Sequence, residues 1–307
     1  MVLSRALIAL SESEKAERLV RREFFARSVV SRFVAGDGLA DAIAAGEGLR
    51  REGIGAILDL LGEGTTDAVG AEGAADEYCR ALRELHTRGL DATISVKLSQ
   101  LGLNVDRGVC VENLLRVCGQ ARESGSSVEL DMEGSADVDA SLDVYRQVQR
   151  QHPDVRIALQ AYLRRTPQDV ESIRGLSPRV RLVKGAYAED PAVALQHRDE
   201  IDEQFVFLAE WLARYGSAPA FGTHDERLID RIVPLLQRAG AEDYEFQLLY
   251  GVRSDLQLRL AREGTKVRVY IPYGDAWFPY LTRRLAERPS NLRFFLRAAL
   301  SARRNRG

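Results

Sequence analysis

Residues 92–131 have the sequence ATISVKLSQLGLNVDRGVCVENLLRVCGQARESGSSVELD. A short, β-branched and apolar run (Ala92–Lys97) comes first, an amphipathic stretch (Asn113–Glu123) follows, and a second apolar run (Ser127–Asp131) ends the unit. Apolar runs of this length predict strands, and the amphipathic stretch between them predicts a helix. A strand, a helix and a second strand in this order predict two parallel strands joined by a crossover helix.

The same unit recurs along the rest of the chain. Six further runs predict strands, namely Ile54–Asp59, Arg156–Ala161, Val180–Lys184, Ala218–Gly222, Glu245–Leu249 and Lys266–Ile271. The amphipathic stretches that predict helices are Glu72–Thr87, Val138–Gln151, Pro167–Arg174, Asp190–Tyr215, Glu226–Ala239 and Ser254–Glu263. Eight alternating strands and helices fit a closed (β/α)8 barrel of the TIM type better than an open doubly wound sheet. No G-x-G-x-x-G motif follows any of these strands, which counts against a Rossmann domain.

The region before the first strand has a different pattern. Residues 1–50 are rich in polar residues and carry apolar positions at helical spacing. We expect residues 1–50 to form an N-terminal helical extension outside the barrel, and residues 51–307 to form the barrel domain. A single barrel domain of this length is common among α/β proteins.

Composition limits the possible functions. The net charge of −2 gives no basic surface for the phosphates of a nucleic acid, so we expect no nucleic-acid partner. The cysteines Cys79, Cys110 and Cys118 lack the spacing of a metal site, and we assign no metal; they predict buried free thiols in a reducing compartment. The apolar patch at the N-terminus is too short for a membrane span and contains Arg5, so the sequence predicts a cytoplasmic protein.

In a (β/α)8 barrel the active site lies at the carboxyl ends of the strands. The polar residues at the predicted strand ends are Asp59, Glu63, Lys97, Asp131, Glu133, Gln160, Tyr162, Lys184, Tyr187, Thr223, His224, Gln247, Tyr270 and Tyr273. Lys97 and Lys184 are two of only four lysines, and each lies in an apolar strand, where an ammonium needs an anionic partner. Asp131 fits as the counter-charge of Lys97 or, equally, as a metal ligand. His224 fits a flavin or phosphate contact or a structural histidine.

The last part of the predicted barrel, residues 267–291, has the sequence VRVYIPYGDAWFPYLTRRLAERPSN. A strand, a Pro-Tyr-Gly-Asp turn and a helix that begins near Ala276 are expected here. Arg283 and Arg284 lie three and four residues after Tyr280, and Glu287 lies four and three residues after these arginines, so all four share one helix face. Two guanidinium groups beside a tyrosine suit a carboxylate, although a solvated Arg/Glu face is an equal alternative in a chain this rich in arginine.

Several of these segments resemble one known family. The segments are LDLLGEG (58–64), SVKLSQLG (95–102), LDMEG (130–134), LQAYLRRT (159–166), RLVKGAY (181–187), FGTHD (221–225), YEFQLLYG (244–251) and the last segment quoted above. They resemble the bacterial monofunctional proline dehydrogenases, in the same order and over residues from about 30 to 295. The resemblance implies a distorted (β/α)8 barrel with FAD bound non-covalently at the strand ends and the last helix over the barrel mouth.

The resemblance also implies an activity and partners. It implies oxidation of L-proline to Δ1-pyrroline-5-carboxylate by hydride transfer to flavin N5, the first step of proline catabolism. The electrons then pass to a quinone, reached by peripheral contact with the inner face of the membrane. Since 307 residues leave no room for the aldehyde dehydrogenase domain of the bifunctional relatives, a separate Δ1-pyrroline-5-carboxylate dehydrogenase is expected.

Residue roles follow from the motifs of that family. The resemblance implies catalytic roles for Lys97, Asp131, Arg181 and Tyr270, with Asp131 orienting Lys97. It implies substrate binding by Lys97, Arg283, Arg284, Tyr270, Tyr280, Leu182, Tyr187 and Glu63, with both arginines on the proline carboxylate and Glu63 as a gate paired with the first. It implies FAD binding by Met132, Gln160, Arg181, Val183, Lys184, Gly185, Ala186, Thr223, His224 and Glu287. Ala188 departs from part of the family, where Trp follows the GAY motif, and predicts altered flavin packing without loss of activity.

Two other functions fit the residues alone. A Schiff-base aldolase would use Lys97 or Lys184 as its nucleophile on the same barrel. A ligand-binding barrel without catalysis would bind proline and reduce no dye.

Overall fold

The structure is a computed structural model that describes residues 30–62 and 64–281. Its centre is a closed barrel of eight parallel strands in chain order, and β8 pairs with β1. The strands are β1 Gly55–Leu60, β2 Ala92–Val96, β3 Val128–Leu130, β4 Arg156–Gln160, β5 Arg179–Val183, β6 Ala220–Gly222, β7 Glu245–Leu249 and β8 Lys266–Tyr273. The predicted (β/α)8 barrel is therefore confirmed, and the predicted strand bounds differ by no more than two residues.

The helices surround the barrel. They are α1 Leu39–Arg50, α2 Ala68–Thr87, α3 Arg107–Glu123, α4 Val138–Gln149, α5 Thr166–Ser172, α6 Arg198–Tyr215, α7 Glu226–Arg238 and α8 Ser254–Arg262. Two of them begin earlier than predicted because an aspartate caps each one. The Asp67 side chain accepts a hydrogen bond from the Gly70 N–H at 2.7 Å, and Asp106 accepts one from the Val109 N–H at 3.0 Å.

One predicted helix begins later in the structure. The sequence predicts a helix over 190–215, but α6 begins only at Arg198, so the prediction for residues 190–197 is wrong. Those residues pair with the segment after β4 instead: Leu163 and Ala194 form an antiparallel bridge, and the Leu195 N–H donates to the Tyr162 carbonyl at 2.8 Å. These main-chain bonds to a distant segment replace the first turns of the helix.

The region before the barrel is described only from residue 30. Within it, α1 buries Leu39, Ala42 and Ile43 in the same apolar core as Ile54 and Ala56 at the start of the barrel. The division of the chain at residue 50 stays a prediction. The position of the last helix over the barrel mouth lies outside the described residues, because that helix is described only as far as Leu281.

Two sequence predictions about the described residues concern cysteine and membranes. Cys79, Cys110 and Cys118 are all buried and free, which confirms the predicted thiols. Over residues 30–62 and 64–281, no helix has both the length and the apolar content required to cross a membrane.

Candidate active site

A cavity of about 820 Å³ opens at the carboxyl ends of the barrel strands. The sequence-predicted residues that line it are Asp59, Lys97, Asp131, Met132, Gln160, Arg181, Val183, Lys184, Gly185, Ala186, Tyr187, Thr223, His224, Gln247, Tyr270 and Tyr280. Leu182 is not among the lining residues, since its side chain is fully buried in the apolar core. Glu63, Arg283, Arg284 and Glu287 lie outside the described residues. The strand-end rule thus brings most of the predicted residues to one place, while their roles stay predictions.

Lys97 lies between two carboxylates at the floor of this cavity. Its Nζ is 2.6 Å from Asp59 Oδ1 and 3.5 Å from Asp131 Oδ2. The side chain of Lys97 is 13% exposed and that of Asp59 only 1%, so both charges are largely removed from water. The sequence named Asp131 as the counter-charge, and the structure adds Asp59 as the nearer partner.

Asp131 is the acceptor on which the other polar groups of the floor converge. It accepts hydrogen bonds from Ser95 Oγ at 2.7 Å and from the Tyr270 hydroxyl at 2.6 Å, and it also pairs with Arg181 Nη2. The Arg181 guanidinium lies 5.4 Å from the centre of the Tyr270 ring. With Lys97, this carboxylate has four polar donors around it and is fixed in position by groups from three strands, β2, β5 and β8.

Burial and pairing set the protonation of these groups. Burial raises the pKa of Asp131, but the charges of Arg181 and Lys97 outweigh it and hold that pKa below its ordinary value. Burial lowers the pKa of Lys97, but Asp59 and Asp131 outweigh it and raise that pKa above the ordinary range. For Asp59, burial dominates over the attraction of Lys97 and raises the pKa. The floor therefore holds a carboxylate on Asp131 and an ammonium on Lys97 at neutral pH.

Tyr270 keeps its proton for a related reason. Burial raises the pKa of this phenol well above its ordinary value, and the charge of Asp131 raises it further. A neutral phenol can donate to the Asp131 carboxylate, which is the hydrogen bond that the structure contains.

The rim of the cavity carries a second group of charges. Lys184 Nζ is 2.5 Å from Asp202 Oδ1 and 3.1 Å from Asp225 Oδ2, and Arg198 Nη2 is 2.5 Å from Asp225 Oδ2. The rim residues that the sequence did not single out are Arg198, Asp225, Glu226, Arg227 and Arg253. Four of the five follow β6 or β7 within a few residues, and this position just after a strand end was the available signal. Within residues 30–62 and 64–281, no group of three or more His, Cys, Asp or Glu side chains is arranged to hold a metal ion.

His224 contacts the main chain of the barrel as well as the cavity. The Leu249 N–H at the end of β7 donates to His224 Nε2 at 2.9 Å. His224 therefore connects the end of β6 to the end of β7, which is a structural contact, while its other surface lines the cavity.

Gly185 allows the loop after β5 to pass close to the Tyr162 ring. Its φ is +122°, and a Cβ built at this position would overlap that ring. We expect Gly185→Ala to lower the free energy of unfolding by about 2 kcal/mol, because the backbone conformation and the overlap both oppose a side chain. Urea unfolding measures this loss. As a matched control, Gly73→Ala in the exposed part of α2, where a Cβ meets nothing within 4 Å, should stabilise the protein by about 0.5–1 kcal/mol. Equal effects of the two changes would contradict the account of Gly185.

The fold and the site together define a class of protein. A closed (β/α)8 barrel with a buried, charged centre at the carboxyl ends of its strands has the architecture of a barrel enzyme. Residues 42–297 match the family described as "Proline dehydrogenase". The chain belongs to the proline dehydrogenase family.

Curated relatives named proline dehydrogenase match over almost their whole length. "Proline dehydrogenase" of Deinococcus radiodurans is 36% identical over 96% of this chain and 97% of its own length. "Proline dehydrogenase 1" of Bacillus subtilis is 34% identical over 97% of this chain and 99% of its own length. The "Bifunctional protein PutA" of Escherichia coli is 26% identical over 97% of this chain, but only 26% of that protein is covered. The resemblance to the monofunctional type is confirmed.

Solved structures share the fold. The structure of proline utilization A from Bdellovibrio bacteriovorus inactivated by N-propargylglycine superposes with a TM-score of 0.78 at 23% identity. The superposition covers 85% of this chain and 32% of that larger chain. This likeness supports the barrel architecture.

Proposed function

We propose that this protein oxidises L-proline to Δ1-pyrroline-5-carboxylate, with non-covalently bound FAD as the electron acceptor, as the first step of proline catabolism. The observation that carries the proposal is the floor of the cavity, where Lys97, Asp131, Arg181 and Tyr270 form one buried polar centre in a chain of the proline dehydrogenase family.

The cavity suits a flavin dinucleotide together with a small substrate. Its volume of about 820 Å³ lies at the upper end of the range for cofactor sites. Its rim carries Lys184, Arg198, Arg227 and Arg253, whose charges suit a diphosphate, and its floor carries groups suited to a polar ring edge and an amino acid. The residues proposed to hold FAD are Met132, Gln160, Arg181, Val183, Lys184, Gly185, Ala186, Thr223, His224 and, outside the described residues, Glu287. When bound, FAD would supply the hydride acceptor at flavin N5.

The residues of the chain bind and orient the substrate. Proline is a zwitterion, so its carboxylate requires cationic partners, and the ammonium of Lys97 is kept charged by Asp59 and Asp131. We propose that Arg283 and Arg284 complete the carboxylate site. Nearby cations also disfavour a second positive charge on the ring nitrogen and so promote loss of its proton. Tyr270 and Tyr280 line the site with aromatic surface, which excludes water and holds the ring in one orientation.

The electrostatics of the two lysines count against the aldolase alternative. A Schiff-base nucleophile must be a neutral amine, and its pKa is lowered in enzymes that use one. The pKa of Lys97 is instead raised, since Asp59 and Asp131 outweigh the effect of burial. The Lys184 amine is engaged in two ion pairs, with Asp202 and Asp225.

The remaining partners are part of the same proposal. We propose a quinone as the final electron acceptor, reached by peripheral contact of a cytoplasmic protein with the membrane. The second oxidation would be performed by a separate Δ1-pyrroline-5-carboxylate dehydrogenase. These partners depend on the proposed oxidation of proline, which is supported by the two curated relatives named proline dehydrogenase.

An absorbance spectrum tests the proposal directly. We expect the purified protein, supplied with FAD, to show a flavin spectrum that bleaches when L-proline is added without oxygen or dye. D-Proline serves as the control and should leave the spectrum unchanged, because the carboxylate site fixes one face of the ring. A bound flavin that L-proline does not bleach would contradict the substrate, and a protein that takes up no FAD would contradict the cofactor.

A further inference from the structure

The interior of the barrel contains a series of alternating charges. From the amino-terminal end of the barrel towards the cavity, the members are Glu245, Arg156, Glu129, Arg181, Asp131 and Lys97. Neighbouring members are joined at 2.6 Å (Glu245–Arg156), 2.9 Å (Arg156–Glu129), 3.1 Å (Glu129–Arg181) and 3.5 Å (Asp131–Lys97), and Arg181 pairs with Asp131. The series connects the opposite end of the barrel to the floor of the cavity.

Glu129 is the member of this series that binds Arg181 without lining the cavity. Its side chain is 1% exposed and is not among the lining residues of the cavity. Its Oε2 accepts from Arg181 Nη1 at 3.1 Å, and its Oε1 accepts from Arg156 Nη1 at 2.9 Å. Gln247 Nε2 donates to both carboxylate oxygens, at 2.9 and 3.0 Å. A carboxylate with this many donors has one orientation, and it fixes the guanidinium that it binds.

The two carboxylates of Arg181 have different positions. Asp131 lines the cavity and is shared with Lys97, Tyr270 and Ser95, whereas Glu129 is enclosed in the barrel. Arg181 itself lines the cavity. Charges buried in a protein interact more strongly than charges in water, so the charge of Glu129 reduces the positive potential that Arg181 creates at the floor.

We propose that Glu129 is a positioning residue for the oxidation: it holds the Arg181 guanidinium at the floor of the cavity and sets the electrostatic potential there. The inference rests on the proposed function, because the potential acts on a bound flavin. Glu129 does not line the cavity, whereas Arg181 does, so its effect passes through Arg181. The aligned donors around it explain why an acidic residue lies in an interior that barrels usually fill with apolar side chains.

The reduction potential of the bound flavin tests this role. Glu129→Gln keeps the size of the side chain and removes its charge, so the floor becomes more positive and the reduced flavin is favoured. We expect the equilibrium constant for two-electron reduction to rise at least tenfold, which corresponds to about 30 mV. Glu245→Gln is the matched control: it also removes a buried carboxylate bound to Arg156, but one that has no contact with Arg181. If the role of Glu129 were merely structural, the flavin would have similar reduction potentials in both variants. That result would overturn the proposal.

A second variant separates position from charge. Glu129→Asp keeps the charge and draws the carboxylate back from Arg181 by one methylene. We expect the flavin potential to stay near that of the wild type while kcat falls several-fold and KM changes little, because Arg181 is no longer held in place. An unchanged kcat in Glu129→Asp would overturn the positioning role. This test remains available if Glu129→Gln does not fold. A wild-type protein that binds no flavin or is not bleached by L-proline would overturn the proposed function itself, which distinguishes the two failures.

Discussion

Asp131→Asn is expected to lower kcat/KM for L-proline by at least about 100-fold, which corresponds to about 3 kcal/mol in the transition state. Asparagine has nearly the shape of aspartate, but its single oxygen can accept only one of the two hydrogen bonds that Ser95 and Tyr270 donate to separate carboxylate oxygens. The charge is lost as well, and Arg181 and Lys97 are then left in a buried site with too few carboxylates. Removal of one partner from a buried ion pair costs about 3–5 kcal/mol of stability, so urea unfolding should show a large loss as well.

The pH dependence of this loss has a defined sign. The pKa of Asp131 is held below its ordinary value by Arg181 and Lys97 despite burial, so the stabilisation is complete above the unfolded-state pKa of about 4 and is lost as the pH falls through the folded-state value. The difference between wild type and Asp131→Asn should therefore be constant near neutral pH and should narrow only below about pH 4.

An exposed aspartate provides the control for that variant. Asp243 pairs with Lys266 at 2.5 Å, but the two side chains are 68% and 64% exposed. Asp243→Asn should change stability by less than about 1 kcal/mol and leave kcat/KM unaltered. If Asp131→Asn behaved like this surface variant, the buried centre would have no role in catalysis.

Lys97→Met is expected to have the second largest effect. It removes the ammonium that lies between Asp59 and Asp131 and leaves two carboxylates near each other in a buried site. We expect a stability loss of about 3–5 kcal/mol and a fall in kcat/KM of at least about 100-fold, since the cationic partner of the substrate carboxylate is also lost.

A double variant separates the two effects of Lys97→Met. In Asp59→Asn/Lys97→Met both members of the nearer ion pair are neutral, and such replacements of a buried pair are often neutral for stability. We expect stability to recover and activity to stay low, as measured by urea unfolding and by kcat/KM. Recovery of activity together with stability would show that Lys97 has a structural role alone. Lys266→Met, in the exposed pair with Asp243, is the control for loss of a lysine.

The location of the site could be predicted from the sequence, because strand ends in a barrel converge whatever the details of packing. The choice between two partners for Lys97 could not be made in the same way. Asp59 lies on β1 and Asp131 directly follows β3, the two strands beside β2. The register aligns Ser95 with Asp59 on one side and with Glu129 on the other. Asp131 is thus level with Lys97 and Asp59 lies two residues below it. Which of the two carboxylates is nearer depends on the conformation of the long Lys97 side chain. The sequence does not specify that conformation.

The interior position of Glu129 could have been predicted from the sequence. It precedes Asp131 by two residues on β3, and side chains two residues apart on a strand lie on the same face. A polar Asp131 in the interior therefore places Glu129 there too. Arg253 is a different case: its left-handed backbone (φ 51°) at the start of α8 depends on packing that no local pattern indicates.

The charged interior also has a consequence for the assembly of the chain. The amino-terminal half-barrel, strands β1 to β4, contributes the interior carboxylates Asp59, Glu129 and Asp131 but only the cations Lys97 and Arg156. The carboxyl-terminal half, strands β5 to β8, contributes Arg181 and Arg268 against Glu245. The first half therefore has an excess of one negative interior charge and the second an excess of one positive interior charge, so we expect the two half-barrels, expressed as separate fragments, to attract each other.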